Sequence, residues 1–103
     1  MDQMKYYTVN YLNKTYEFSF NYKCQHDGYR AYITSQPDYR HRSTSLSDTH
    51  RLRDGDKYYI CWSQPIPTEQ LMDGVVALWC RATVMYIIFG GDLKVHAENI
   101  QRS

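Results

Sequence analysis

Seven side chains in this sequence carry a thiol or an imidazole and could ligate a metal: Cys24, His26, His41, His50, Cys61, Cys80 and His96. Zinc is the chemistry they suggest, since thiolate and imidazole are its usual protein ligands. Cys24 and His26 are close enough in sequence to reach one ion, from the end of a strand and the turn that follows it. A structural zinc site needs four ligands, usually delivered as two tight pairs, and no second pair follows. His50 or Cys61 would have to complete the tetrahedron from a distance. The expectation is no resident cofactor, with zinc at Cys24 and His26 as the alternative to test.

Other reactive combinations are weaker. Ser47-Asp48-Thr49-His50 contains triad residue types, but a triad draws its members from separate elements, and these are neighbours in one segment. Asp54 and Asp56 form a carboxylate pair, yet around Gly55 they read as turn formers. No phosphate-binding loop, dinucleotide fingerprint, nucleophile elbow or HExxH pattern is present. The sequence therefore points away from an enzyme.

The basic residues concentrate in one place. Tyr39, Arg40, His41 and Arg42 are followed by Arg51 and Arg53. With Tyr32 and Tyr59 these arginines could build an aromatic, cationic surface for an acidic protein patch or for single-stranded nucleic acid. Tyrosine and arginine are frequent anchors of protein interfaces, so a protein partner is favoured, with contacts at Tyr39, Arg40, Arg42, Arg51, Arg53 and Tyr59. Lys and Arg number 12 against 11 Asp and Glu, a net charge of +1. That balance argues against unspecific binding of nucleic acid and against acidic mimicry of it.

The elements that must position these groups follow from periodicity. At 103 residues, the chain fits one domain, 1–103, and excludes the large α/β architectures. Tyrosine accounts for 11 residues of the 43% hydrophobic fraction, so cores and binding surfaces draw on the same residue type. Residues 15–23 alternate strictly, with Tyr16, Phe18, Phe20 and Tyr22 on one face. They pair with 5–12 across an Asn13-Lys14 turn as an antiparallel hairpin. A third strand is expected at 29–35, and residues 36–48 read as an exposed polar loop.

Strands at 49–53 and 57–63 flank Asp54-Gly55-Asp56. A three-residue turn keeps His50, Leu52, Tyr58, Ile60 and Trp62 on one side and is the expected register. A two-residue Gly55-Asp56 turn would bring His50 opposite Cys61 and turn Trp62 outward. Pro65 and Pro67 close the sheet region. Thr68 is an N-cap for a helix over 69–89 that stops at Gly90-Gly91. Its main apolar stripe is Leu71, Val75, Leu78, Ala82, Met85 and Phe89, and a second is Met72, Val76, Trp79 and Tyr86. So wide an apolar face must be nearly enclosed. The tail 92–103 can cover part of it through Leu93, Val95 and Ile100, and a homodimer or another partner the rest. The expected fold is α+β: a four- to five-stranded antiparallel sheet over about 4–63, with one long C-terminal helix packed on one face.

The first residues show no basic segment followed by an apolar run, and an odd, sparse cysteine set fits reduced thiols. The longest apolar stretch, 75–91, contains Arg81 and is short for a bilayer span. A cytoplasmic protein without membrane contact is the expectation.

Several strings taken together, Tyr29-Arg30-Ala31-Tyr32-Ile33, Gln36-Pro37-Asp38-Tyr39, Arg42-Ser43-Thr44-Ser45-Leu46, Thr49-His50-Arg51-Leu52, Tyr58-Tyr59-Ile60-Cys61-Trp62 and Ala77-Leu78-Trp79, give the chain a recognisable style. Over residues 29–90 it resembles small proteins carried by phages and mobile elements of Gram-positive bacteria, among them anti-CRISPR inhibitors. The resemblance implies a non-enzymatic inhibitor of host defence that binds a type II CRISPR effector nuclease in the bacterial cytoplasm and blocks DNA loading or cleavage. Many such inhibitors are acidic DNA mimics, and the +1 charge departs from that pattern. The other functions compatible with the residues are a small nucleic-acid-binding regulator of a mobile element and a zinc-binding interaction domain.

Overall fold

The computed structural model describes residues 3–102; the ends of the expected domain, residues 1, 2 and 103, lie outside the described residues. Five strands, β1 (Gln3–Tyr11), β2 (Lys14–Gln25), β3 (Gly28–Ser35), β4 (Arg51–Asp54) and β5 (Lys57–Ile60), form one antiparallel sheet in the order β1-β2-β3-β5-β4. A one-turn helix α1 (Leu46–Thr49) precedes β4, and two helices, α2 (Glu69–Phe89) and α3 (Leu93–Arg102), complete the chain. The fold is α+β, with α2 across one sheet face.

The alternation in β2 does what its spacing predicts. Tyr16, Phe18, Phe20 and Tyr22 are all buried against α2. Trp79 meets them edge-on, its ring 5.8 Å from Phe18 and 6.1 Å from Phe20. Its indole N–H donates to the Thr49 carbonyl at 3.0 Å, which resolves the polar atom of a buried aromatic. Tyr86 is also core, packed edge-on to Tyr39 and donating its hydroxyl to the Ser43 carbonyl at 2.7 Å.

The first turn falls one residue earlier than expected. Leu12 and Asn13 occupy it, both with positive φ, and Tyr11 pairs with Lys14. Two left-handed residues match the twist of the flanking strands. Gly28 opens β3 at φ +125°, and a Cβ there would lie 2.9 Å from the Ile66 backbone. The chain before α2 packs on that spot, with the Tyr29 N–H bonded to the Ile66 carbonyl at 2.8 Å.

Three expectations are corrected. First, the 36–48 segment is not simply an exposed loop. Tyr39 is buried, and the Arg42 guanidinium donates to the Ile87 and Ile88 carbonyls at the C-terminus of α2. Those carbonyls have no helical partner, and a cation there also suits the helix dipole. Second, 49–50 is not strand. Ser45 caps α1 by accepting from the Asp48 N–H, and His50 closes it in a left-handed conformation. Third, the β4–β5 register is the two-residue alternative. Arg51 pairs with Ile60 and Asp54 with Lys57, leaving Gly55 at φ +64° and Asp56 as the turn. The Cys61 N–H then bonds the His50 carbonyl at 3.0 Å, β5 ends at Ile60, and Trp62 is left exposed beyond the strand.

α2 spans the expected residues, and the Thr68 hydroxyl accepts from the Leu71 N–H. Met72, Val76, Trp79 and Tyr86 of the second stripe are buried, as are Val75 and Ala82 of the main one, whereas its end residues Leu71 and Phe89 are exposed. The helix is long and apolar enough by composition to cross a bilayer, but more than half of its apolar stretch is buried inside the protein. The tail forms α3, which packs through Leu93, Ala97 and Ile100 and leaves Val95 exposed.

Candidate functional site: the uncovered sheet face

Period-two sidedness sets which side chains stay free of the helices. Because Phe20 pairs with Ile33 and Tyr22 with Ala31, Tyr32 and Arg30 lie on the other side. Tyr32 pairs with Tyr59, and Tyr59 with Leu52, so these join the same outer face. Lys23, opposite Arg30, belongs to it too.

These residues form an ordered cluster. The Lys23 ammonium lies 5.4 Å from the Tyr32 ring centre and the Arg30 guanidinium 4.5 Å from that of Tyr59. The two rings are tilted, 5.4 Å apart. Arg30 donates to the Tyr32 hydroxyl at 3.2 Å, which in turn donates to Asp54 at 2.7 Å. The Arg30–Asp54 ion pair spans 3.8 Å. Hydrogen bonding to Tyr32 raises the Arg30 pKa, and burial raises that of the Tyr32 phenol. Although no helix covers this face, Tyr32 is only 4% exposed.

Beside the cluster, at the end of the sheet, lies a groove of about 290 Å³ that Arg30, Tyr59 and Leu52 of the outer face share with Tyr29 and Trp62 and with Ile60, Ile66 and Met72 of the helix side. Trp62 is 44% and Leu52 39% exposed. An arginine, two tyrosines and a tryptophan around a shallow groove can receive an apolar or acidic side chain from another protein.

The residues expected to form one surface are divided by the register. Tyr59 is on the outer face, but Arg51 and Arg53 project to the helix side. Arg51 is buried, its guanidinium 4.5 Å from the Tyr58 ring centre and 5.4 Å from that of Tyr39. It donates to Thr49 Oγ1 at 2.8 Å and to the Thr44 carbonyl at 2.7 Å. Arg53 is exposed, 5.7 Å from the Tyr58 ring centre. Tyr39 is buried and Arg42 is bonded to the end of α2, while Arg40 is exposed at φ +60°.

Cys24 is exposed, Cys61 half-buried and Cys80 buried; all three are free thiols. Burial raises the Cys80 pKa, which keeps it protonated and unreactive. Among the described residues, no three His, Cys, Asp or Glu side chains converge to hold a metal, so Cys24 and His26 are not joined by His50 or Cys61.

Sequence reasoning missed Arg30 and Lys23 as members of this cluster, and it placed Leu52 with Tyr58 and Ile60 rather than on the outer face. The signal was present in the two-residue turn, since Gly55 followed by Asp56 suits a tight hairpin with glycine first. Comparison with protein-family models, curated proteins and solved structures finds no match.

Proposed function

We propose that this chain is a non-enzymatic protein-binding module that docks on another protein through the groove at the end of the sheet, between Arg30, Tyr59 and Leu52 of the uncovered face and the exposed Trp62 that follows β5. The observation that carries the reading is the groove where these four side chains meet, with Trp62 and Leu52 exposed at its border. Aromatic and arginine side chains held in fixed positions lose little entropy on binding, which suits anchor residues.

The occupied ring faces favour protein over single-stranded nucleic acid. Bases stack on free aromatic faces. Here Lys23 lies over Tyr32 and Arg30 over Tyr59, and the two rings also meet each other.

The resemblance to anti-CRISPR inhibitors names the partner class to test first, a type II CRISPR effector nuclease whose DNA loading or cleavage would be blocked. With a net charge of +1, the contact is with the protein surface rather than an imitation of the phosphate backbone. The test is affinity capture of the tagged protein from a bacterial lysate containing such an effector, with nuclease treatment, followed by a cleavage assay. Stoichiometric effector that survives nuclease treatment, with inhibited cleavage, supports the reading. Partners lost on nuclease treatment would move it to nucleic acid, and no binding to the purified effector would overturn the inhibitor assignment.

A further inference from the structure

The two edges of the sheet are built differently. β4 has four residues, two of them Arg51 and Arg53. A short, charged edge resists pairing with another chain. β1 has nine residues, no proline and one charged residue, and among the described residues no strand pairs with its outer edge. Its single charge, Lys5, turns inward and is held by Glu69 at 2.6 Å, which raises its pKa. The strand presents about 30 Å of open backbone donors and acceptors. Large apolar side chains are exposed on it and in the turn that follows, with Met4 and Tyr6 (77%) on the strand and Leu12 (79%) in the turn. Phe89, also exposed, packs edge-on to Tyr11 at its end.

We propose that β1 pairs antiparallel with β1 of a second copy of this chain, about a twofold axis at Tyr7, to form a ten-stranded sheet. The strand is self-complementary in that register. Tyr7 meets Tyr7 of the other copy, Lys5 meets Val9, Tyr6 meets Thr8, Met4 meets Asn10 and Gln3 meets Tyr11. Inward residues oppose inward residues, as one continuous sheet requires. Lys5 faces an apolar residue, so no like charges are opposed across the axis. A second copy suits this edge because both sides of the pair then bring the same proline-free strand, whose one charge is paired with Glu69 of its own copy. The pairing leaves the Arg30–Trp62 groove open in each copy and is independent of what binds there.

Sedimentation equilibrium on the full chain tests the pairing. Wild type is expected at twice the chain mass as concentration rises. Two double variants share Thr8→Lys and differ at one position. Tyr6→Lys/Thr8→Lys opposes cations twice across the axis, and Tyr6→Glu/Thr8→Lys opposes unlike charges twice. Both positions are exposed, and circular dichroism checks that each variant is folded. Dimerisation about tenfold weaker in the first variant than in the second is the expected result. Wild type at the chain mass up to millimolar concentration overturns the proposal and leaves the edge to a strand of a different protein. Equal dimerisation of the two folded variants overturns it as well, by placing the contact elsewhere.

Discussion

The Arg51 guanidinium lies 4.5 Å from the centre of the Tyr58 ring, beneath the surface of the domain rather than on it. Tyr39 flanks it at 5.4 Å, while Thr49 and the Thr44 carbonyl accept its hydrogen bonds. This cation therefore joins the 36–45 segment and α1 to the β4–β5 hairpin. Arg51→Ala removes a desolvated cation–π contact and two charge-assisted hydrogen bonds, so a loss of about 2–4 kcal/mol is expected. Arg53→Ala, at an exposed site, should change stability by less than about 0.5 kcal/mol. Urea unfolding of the two variants measures the contrast.

Arg42 is expected to act on one helix end. Its side chain bonds two terminal carbonyls of α2, at 3.1 Å to Ile87 and 2.9 Å to Ile88. Arg42→Ala should cost about 1–3 kcal/mol and speed amide exchange most near Gly90, whose N–H closes the last turn on Tyr86. Uniform protection loss across α2 would contradict a capping role.

Gly28 is required where it stands. Its φ of +125° strains any L side chain, and an added Cβ would press on the Ile66 backbone. Gly28→Ala should destabilise by at least about 1–3 kcal/mol, read from the urea midpoint. Gly55→Ala shares a positive φ but meets no atom within 4 Å, so its cost should be smaller.

Alkaline pH should unfold the domain through its buried phenols. Burial raises Tyr39 from an ordinary value near 10 to about 12, and burial raises Tyr22 and Cys80 in the same direction. Each folded-state pKa lies above its unfolded value, so the folded state holds these protons more tightly. The Tyr39 contribution is fully present below about pH 9 and is lost as pH rises through about 12, and Tyr22 and Cys80 add to the loss in the same direction. Thermal melts from neutral to alkaline pH should show a plateau followed by a steep fall. Tyr39→Phe, which has no proton to lose, should make that fall shallower.

Much of the frame was legible because it rests on local rules. The aromatic period of β2, Thr68 as N-cap and Gly90 as stop each depend on near neighbours in sequence. How far the buried face of α2 extends was not legible, since Leu71 and Phe89 end the stripe whose Val75 and Ala82 are buried. Their exposure depends on where the β2 aromatics and α3 sit. The facing of Arg51 and Leu52 was not legible for a related reason. One residue of register decides whether Arg51 or Leu52 faces the core, and alternation alone favoured the apolar residue. Arg51 lies inward because Tyr39, Tyr58 and Thr49 converge on it from three segments.

Binding is expected to follow the groove at the end of the sheet and to ignore the arginines first suggested by charge density. Arg30→Ala removes the cation over Tyr59 and the bond to the Tyr32 hydroxyl, while Trp62→Ala removes an exposed ring beside the same groove. Neither side chain belongs to the buried core: Arg30 is half-buried and Trp62 is 44% exposed. Each should therefore leave stability within about 1 kcal/mol and weaken a protein partner at least about tenfold. Arg40→Ala and Arg53→Ala, both exposed, should bind as wild type does. Calorimetric titration against the captured partner compares the four variants. A loss confined to Arg40→Ala and Arg53→Ala would return the interface to the helix side. A steep loss of wild-type affinity with salt would instead mark a phosphate-bearing ligand.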